Sequence, residues 1–474
     1  MKKNKITSYI LITLPLFILL LVLWSNRCFN KPKIDEVIYT LSTKVGGTDP
    51  KIILGAIYTV LIPVIIFSII YFIVSKYIKD EKIYKYLKIF GIIFIVFDLC
   101  FIDNNYELIK NIKLSLTKSN FIKDNYVKTS LDSVSFDNDK SNLIVIYSES
   151  MESSYMDKDN SGLYDKNYIP KLTELAKENT SFINKDGGAY PLDTASWTTA
   201  GIVSVTSGTT IKPSIKDIFN RDSAYSYKNI VTLSDILKHN GYSTEFMLGS
   251  DVSFGAKEEY LKAHNIDVIY DLNYAKENNK VKEEDLYGWG IKDVDLFNLA
   301  KDELDMLSKK DNHFFLSILT VDTHAPSGTS YEGCALQSEK DYFSAIRCSD
   351  QHIYEFIEYL KGKDYYDNTV IVILGDHLSM SSRIKKDNNR RIYNTIINSK
   401  RERNNISDRE YANIDMFPTI LYALGADIKE DKLGLGVNLY SDNKTLIEEH
   451  GYEKVNNELS SYSKFYNENI ANVN

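Results

Sequence analysis

Two long stretches near the start of this 474-residue chain carry no charged side chain. They cover residues 6–26 and 52–75, and each is long enough to cross a bilayer, which takes about 20 apolar residues. A third apolar stretch, residues 89–102, is interrupted by Asp98. We therefore predict a transmembrane region over residues 1–105 with three helices, at about 7–25, 52–75 and 86–104.

The ends of these segments predict how the chain is oriented. The basic start of the first segment would also suit a signal peptide, but no small-residue cleavage site follows Trp24, so the sequence favours a retained anchor. Basic residues concentrate between the second and third segments, at Lys76, Lys79, Lys82, Lys85 and Lys88. Such loops stay cytoplasmic. With three spans, we expect a multi-pass protein of the inner or cytoplasmic membrane, with everything after residue 105 periplasmic or at the cell surface.

The overall composition of the chain is that of a folded protein. Over the whole chain 25% of residues are charged, 44% are hydrophobic and the net charge is -8. This acidic balance argues against nucleic-acid binding. Residues 106–140 are polar and Lys-rich and predict a tether, and residues 446–474 predict a polar surface tail. The folded extracytoplasmic domain should therefore span residues 141–445.

Short apolar strands alternate with amphipathic helices within residues 141–445. "NLIVIYSES", "STEFMLGSD", "HFFLSILTVDTHAPS" and "TVIVILGDH" indicate the strands, and "VTLSDILKHNG" and "DQHIYEFIEYLKGK" indicate helices. Continuous apolar strands that alternate with helices are typical of a parallel sheet covered on both faces. The sequence thus predicts an α/β fold with a mostly parallel sheet sandwiched by helices.

Polar side chains follow four of the predicted strands at their carboxyl ends. They are Glu149, Asp251, Asp322 with His324, and Asp376 with His377. A single carboxylate in such a place is usually a cap or turn residue. Open α/β sheets bind ligands at this edge, however, and four coincidences predict one shared site.

Three of these residues have the chemistry of a metal site. Glu149, Asp376 and His377 offer two oxygens and one nitrogen, a mixture that suits Mn²⁺ or Zn²⁺, whereas an all-oxygen set would favour Mg²⁺ or Ca²⁺. A fourth ligand could come from the hydroxyl-rich segment over residues 192–209. A hydroxyl before a helix is equally well explained as an N-cap. Spacing alone does not choose among Ser196, Thr198 and Thr199.

Two of the four cysteines follow residue 105, namely Cys334 and Cys348. Outside the cell these two would form a disulfide. Two free buried thiols are the alternative.

Taken together, these segments resemble the lipoteichoic acid synthase and phosphoglycerol transferase family, within the alkaline phosphatase and sulfatase superfamily. The resemblance covers nearly the whole chain, through "NLIVIYSESMESS", "SWTTAGIVS", "GWGIKDVDLF", "TVDTHAPSG", "LGDHLS" and "NIDMFPTILYALG". It implies that Thr198, directly after Trp197, is the nucleophile. It also implies one divalent metal, Mn²⁺ in the first place with Mg²⁺ or Zn²⁺ as options, bound by Glu149, Thr198, Asp376 and His377.

The segment "LGSDVSFGAKEEYLKAHNID" resembles the phosphoglycerol transferase I branch of that family. The lipoteichoic acid synthases tend to have Trp and Arg where this chain has Gly255 and Lys257. The resemblance implies substrate contacts by His324, Asp251 and Lys257, although Lys257 would also suit a solvated surface. The implied reaction moves glycerophosphate from phosphatidylglycerol, through a threonine-linked intermediate, to an extracytoplasmic glycan or polyglycerolphosphate acceptor.

Three other functions are weighed against this one. Phosphoethanolamine transferases of the same superfamily usually carry several disulfides, whereas the predicted domain can form only one. A non-catalytic anchored binding protein on this fold would be expected to lack a metal ligand. Sulfatase activity would need a Cys-x-Pro-x-Arg or Ser-x-Pro-x-Arg segment, and the sequence contains neither.

Overall fold

The computed structural model describes residues 2–136, 140–219, 225–331, 333–334, 342–402 and 408–471. Its first part is helical. The elements are α1 (Lys2–Phe29), α2 (Ile34–Ser42), α3 (Pro50–Ala56), α4 (Ile62–Tyr77), α5 (Glu81–Tyr106), α6 (Leu108–Leu116) and α7 (Phe121–Asn125). One π-helical turn, Ile57–Leu61, joins α3 to α4 without a break.

Two helical runs among the described residues are long and apolar enough to cross a membrane, Lys2–Phe29 and Pro50–Tyr77. The predicted third span falls within α5, which does not meet that criterion of length and composition. The reason lies in its sequence, because α5 begins with several lysines and carries Asp98 and Asp103 further on. The number of spans therefore stays a prediction. α5 nevertheless packs closely on α1, since a Cβ at Gly91 would lie 2.7 Å from the carbonyl oxygen of Leu11.

The described residues also form ten strands. They are β1 (Val134–Phe136), β2 (Asn142–Ser148), β3 (Ser243–Leu248), β4 (Val268–Tyr270), β5 (Phe314–Leu319), β6 (Thr369–Gly375), β7 (Asn394–Ile397), β8 (Ala426–Ile428), β9 (Lys432–Leu433) and β10 (Gly436–Val437). Six make a central sheet in the order β4-β3-β5-β2-β6-β7, with every neighbour parallel except the β6–β7 pair. The other four form two antiparallel pairs, β1 with β8 and β9 with β10.

Helices cover both faces of this sheet. They are α8 (Pro170–Glu178), α9 (Thr198–Ser207), α10 (Leu233–His239), α11 (Lys257–Ala263), α12 (Leu272–Glu277), α13 (Asp293–Leu307), α14 (Tyr342–Lys361), α15 (Met416–Ala423), α16 (Leu446–His450), α17 (Tyr452–Ser460) and α18 (Lys464–Asn469). Successive residues of a strand point to opposite faces. Accordingly Leu143 and Val145 pack in one core with α9 and α15, and Ile144 and Ile146 pack in the other with α13 and α14. This architecture confirms the predicted α/β sandwich.

The folded unit extends beyond residues 141–445 at both ends. The predicted tether contains α6 and α7, and its strand β1 pairs with β8. Residues 446–471, which were expected to form a surface tail, fold as three helices that bury Val455, Leu459 and Tyr466 in the core. Both segments are polar overall, so their few apolar side chains gave little indication in the sequence that they would be buried. The spacing of Val455 and Leu459, four residues apart on one helix face, is the pattern that could have revealed it.

A disulfide joins Cys334 to Cys348, whose Cα atoms are 5.0 Å apart. It ties the chain ahead of α14 to the first half of that helix.

Candidate active site

Parallel pairing brings the acidic and imidazole side chains to one edge of the sheet. Ser148 of β2 lies opposite Gly375 of β6, so the next residues, Glu149 and Asp376, leave neighbouring strands at the same level. His377 follows directly. β5 is the other neighbour of β2, and the loop after it carries His324.

Glu149, Asp376 and His377 form one compact buried group. One ligand atom from each lies within 4.8 Å of the others. His377 Nε2 is 3.6 Å from Glu149 Oε1 and 3.4 Å from Asp376 Oδ2. All three side chains are at most 2% exposed, and burial of two carboxylates is costly unless a cation compensates their charge.

The electrostatics of this group fit a divalent cation. Burial and the charge of Glu149 raise the pKa of Asp376 to about 7. Burial alone would also raise the pKa of Glu149, but the charges of His324 and His377 lower it. Asp376 Oδ2 is buried and has no hydrogen-bond partner in the described part of the chain. This oxygen therefore has a free lone pair beside a carboxylate and an imidazole, and such a lone pair can bind a metal ion.

Neighbouring groups fix the orientation of these side chains. Ser150 donates its backbone N–H to Asp376 Oδ1 (2.8 Å) and its hydroxyl to Glu149 Oε1 (2.6 Å). It does so from a left-handed backbone with φ of 55°, a conformation that non-glycine residues adopt at a cost. Asn413 donates to the carbonyl oxygen of Asp376 at 3.0 Å. Sequence reasoning missed both residues, although Asn413 opens the quoted "NIDMF" segment.

Contacts in the structure distinguish the three candidate hydroxyls. Ser196 donates to the carbonyl oxygen of Asp193 (3.0 Å), and Thr199 donates to that of Gly255 (2.7 Å). The Thr198 hydroxyl instead lies 3.2 Å from Glu149 Oε2 and 3.3 Å from His377 Nε2. Of the three, Thr198 is therefore the one that faces the acidic and imidazole group.

Thr198 is also the first residue of α9. Free backbone N–H groups and the positive end of the helix dipole at such a position suit a phosphate oxygen. Helix α9 can approach the group this closely because of Gly201, where a Cβ would lie 2.3 Å from the carbonyl oxygen of Asp376.

The predicted substrate residues divide into two sets. His324 and Lys257 line a small pocket of about 20 Å³ together with Glu149 and Thr198. Lys257 is 4% exposed, and burial lowers its pKa to about 8. Asp251 does not line a described pocket at this site. It accepts the backbone N–H of Ser253 at 2.8 Å and therefore acts as a turn residue.

A larger cavity of about 560 Å³ adjoins the small pocket and shares Thr198, Lys257 and His324 with it. Trp289 lines both the cavity and the small pocket, and its ring centroid is 4.1 Å from that of the His324 ring. The sequence pointed to Trp289 only as part of the quoted "GWGIKDVDLF" segment. The far wall of the cavity comes from the N-terminal helices, and it includes Glu36 of α2, whose pKa burial raises to about 8.

Comparison with known proteins places the chain in a class. The sulfatase family model matches residues 141–426, more than half of the chain, and the chain therefore belongs to the sulfatase family. Among curated proteins it is similar to phosphoglycerol transferase I of Salmonella choleraesuis, with 30% identity over 317 residues, 64% of this chain and 39% of that protein. The chain thus spans well under half the length of that relative.

Two solved structures support the fold. The lipoteichoic acid synthase LtaP of Listeria monocytogenes superposes with a TM-score of 0.50 at 24% identity, over 68% of this chain and 80% of that one. The integral membrane protein lipooligosaccharide phosphoethanolamine transferase A (EptA) of Neisseria meningitidis gives 0.53 at 14% identity, over 88% and 84%. The likeness to EptA covers more of the chain than the sulfatase domain alone.

Proposed function

We propose that this protein is a membrane-anchored, metal-dependent phosphoglycerol transferase. It moves glycerophosphate from phosphatidylglycerol, through an intermediate on Thr198, to an extracytoplasmic glycan or polyglycerolphosphate acceptor. The observation that carries the proposal is the Thr198 hydroxyl, 3.2 Å from Glu149 and 3.3 Å from His377 at the start of a helix. The similarity to phosphoglycerol transferase I of Salmonella choleraesuis supports transfer of a phosphoglycerol group.

Glu149, Asp376, His377 and the Thr198 hydroxyl would hold the cation, for which Mn²⁺ is the best match to mixed oxygen and nitrogen ligands. When bound, a divalent ion polarises the phosphoryl oxygens and lowers the pKa of a coordinated hydroxyl. The side chains of the protein then carry out the transfer. Thr198 Oγ1 forms a bond to phosphorus, and the bond from phosphorus to the diacylglycerol oxygen breaks. Glu149 Oε2, 3.2 Å from the Thr198 hydroxyl, accepts its proton, and the diacylglycerol oxygen takes up a proton from water as it leaves.

The second half of the reaction reverses these roles. An acceptor hydroxyl forms a bond to phosphorus and releases its proton to water, and the bond from phosphorus to Thr198 Oγ1 breaks. Thr198 then takes back its proton from Glu149, which regenerates the enzyme. Lys257 and His324 line the pocket beside Thr198 and are placed to bind the phosphoryl oxygens or glycerol hydroxyls. A membrane anchor keeps this site near its lipid donor and so raises the effective donor concentration.

The charge of the pocket favours glycerol over ethanolamine as the head group. A phosphoethanolamine donor would bring an ammonium group into a small pocket that already contains Lys257, and like charges in a buried site repel strongly. The glycerol head group is neutral and offers two hydroxyls. We therefore favour phosphatidylglycerol over phosphatidylethanolamine as the donor.

A donor assay tests the proposal. The purified full chain is incubated with Mn²⁺ and with acyl-chain-labelled phosphatidylglycerol or phosphatidylethanolamine, and release of labelled diacylglycerol is followed. We expect turnover with phosphatidylglycerol, loss of turnover in Thr198→Ala, and partial activity in Thr198→Ser, which keeps a hydroxyl. Full activity in Thr198→Ala would refute the assigned nucleophile. Turnover of phosphatidylethanolamine alone would make the protein a phosphoethanolamine transferase, and neither metal binding nor turnover would indicate a binding protein.

A further inference from the structure

The cavity of about 560 Å³ beside Thr198 has walls from two parts of the chain that are far apart in sequence. The N-terminal helices contribute mainly apolar side chains, including Trp24 and Phe29 of α1, Val37 of α2, and Ile52, Ile53 and Ala56 of α3. The catalytic domain contributes Phe254 and Trp289, then Thr198, Lys257 and His324. The cavity therefore runs from an apolar end between helices to a polar end at the candidate nucleophile.

Packing across this junction is direct. Ile52 of α3 is buried in one cluster with Trp289 and Val321 of the domain, and Trp24 and Phe29 of α1 pack against it. The catalytic edge of the sheet and the N-terminal helices thus share a small hydrophobic core.

Helix α2 closes one side of the cavity and is fastened to the catalytic domain. Tyr39 donates its hydroxyl to the carbonyl oxygen of Gly255 at 2.7 Å, and the hydroxyls of Ser42 and Tyr225 lie 2.8 Å apart. Tyr39 and Ser42 are at most 2% exposed. Lys33, just before α2, pairs with Asp193 at 3.0 Å. These contacts make α2 a fixed wall of the site.

The side chains around the cavity mouth match a lipid. Leu41, Val45 and Ile53 line the cavity and are each about half exposed. Ile53 lies on the helical run Pro50–Tyr77, which is apolar enough to enter a membrane, and the other two precede that run in the chain. Clefts of about 300–1,000 Å³ with apolar walls and a few convergent polar groups are typical ligand sites. A molecule that fills this one needs an anionic phosphodiester at one end and hydrocarbon at the other.

We infer that this cavity, named here the acyl cavity and lined by α1, α2, α3, Phe254 and Trp289, binds the diacylglycerol part of the donor lipid. The glycerol backbone and the first methylenes lie inside it, and the remaining chains leave past Leu41, Val45 and Ile53 into the bilayer. This inference rests on the proposed function and deepens it. The N-terminal helices are then part of the lipid site as well as an anchor, and they favour donors that carry hydrocarbon chains.

Two adjacent residues of α3 provide a matched test. Ile53 lines the cavity and is 49% exposed, whereas Leu54 is 47% exposed and does not line it. Full-length Ile53→Trp and Leu54→Trp are compared on long-chain phosphatidylglycerol and on a soluble nitrophenyl ester of glycerophosphate that has no acyl chains. We expect Ile53→Trp to lower the ratio of lipid to soluble turnover at least tenfold, and Leu54→Trp to leave it within twofold of wild type. Equal ratios in the two variants would overturn the inference.

A binding readout separates this inference from the proposed reaction. The full-length Thr198→Ala variant is mixed with phosphatidylglycerol that carries a photoreactive group near the start of one acyl chain, and cross-linked peptides are identified by mass spectrometry. Cross-links at Phe29 and Val37, reduced at least fivefold by Ala56→Trp, support the acyl cavity even if no turnover is found. Cross-links spread over the exposed faces of α4 and α5 and unaffected by Ala56→Trp would refute it. Absence of turnover on both substrates in the wild type would refute the proposed function instead.

Discussion

Replacement of Arg390 by methionine should cause a large loss of stability, because Arg390 is the charged partner of a buried carboxylate. Glu152 is 0% exposed and Arg390 is 8% exposed. Arg390 donates Nε to Glu152 Oε2 at 2.9 Å and Nη2 to the other carboxylate oxygen. Tyr155 and the backbone N–H of Ser379 also donate to Glu152, at 2.9 and 3.0 Å. The variant keeps these two donors but leaves the negative charge without its cation.

The expected cost follows from this burial. Removal of one partner of a buried ion pair typically costs about 3–5 kcal/mol. For a domain of this size, about 2 °C per kcal/mol is a reasonable conversion, so the melting temperature should fall by about 6–10 °C. Ser379 lies two residues after His377, and its bond to Glu152 holds the loop that carries Asp376 and His377, two of the proposed metal ligands. Turnover should therefore fall as well.

The assay is thermal unfolding of the full chain in detergent, with two controls. The double variant Glu152→Gln with Arg390→Met removes the unpaired charge and should recover more than half of the lost stability. Lys158→Met removes the exposed pair with Asp165, which has an N–O distance of 2.7 Å but side chains 66% and 90% exposed. That change should leave the melting temperature nearly unchanged, because water screens an exposed pair. A shift of less than 2 °C in Arg390→Met would refute the reasoning.

Three further predictions concern the site and its support. Gly201→Ala should weaken Mn²⁺ binding and lower turnover at least tenfold, because the new Cβ would lie 2.3 Å from the carbonyl oxygen of Asp376. Isothermal titration measures the affinity for Mn²⁺, and an affinity equal to that of the wild type would contradict the prediction. Removal of divalent ions with a chelator should lower the melting temperature at pH 8, and Mn²⁺ should restore it in the wild type but not in Asp376→Asn, since a bound ion stabilises only the folded state. Burial raises the pKa of Asp415 from 3.8 to about 7. Its folded pKa lies above its unfolded pKa, so its contribution to stability is complete below about pH 4 and is lost as the pH rises through 7, by up to about 4 kcal/mol. Asp415→Asn should therefore flatten the stability profile between pH 5 and 8, and an unchanged slope would contradict the assigned cause.

The sequence was sufficient for the sheet and for the group at its edge. Residues 143–146 and 370–374 are apolar throughout, which requires burial on both faces, and parallel pairing then sets the carboxyl ends of the two strands side by side. Glu149, Asp376 and His377 could be predicted together because they follow those ends directly. The same logic did not hold for Asp251, which also follows a strand but accepts a bond within its own turn.

The remaining features depend on contacts between distant segments. The choice of Thr198 over Ser196 and Thr199 depends on which hydroxyls bind backbone carbonyls, and one of those carbonyls belongs to Gly255. The docking of α2 on the catalytic domain depends on single hydrogen bonds such as that from Tyr39, which leave no periodic pattern. The helices after residue 446 bury few apolar residues each, so polarity concealed their place in the core.

The proposed reaction requires Thr198 to carry the transferred group for part of each turnover. Mass spectrometry of the full chain after brief incubation with Mn²⁺ and phosphatidylglycerol, followed by acid quenching and peptide mapping, detects such a group. We expect a glycerophosphoryl group on the peptide that contains Thr198, which disappears when an acceptor is added and never forms in Thr198→Ala or in metal-stripped protein. Diacylglycerol release with no such adduct, or with the adduct on another residue, would contradict it.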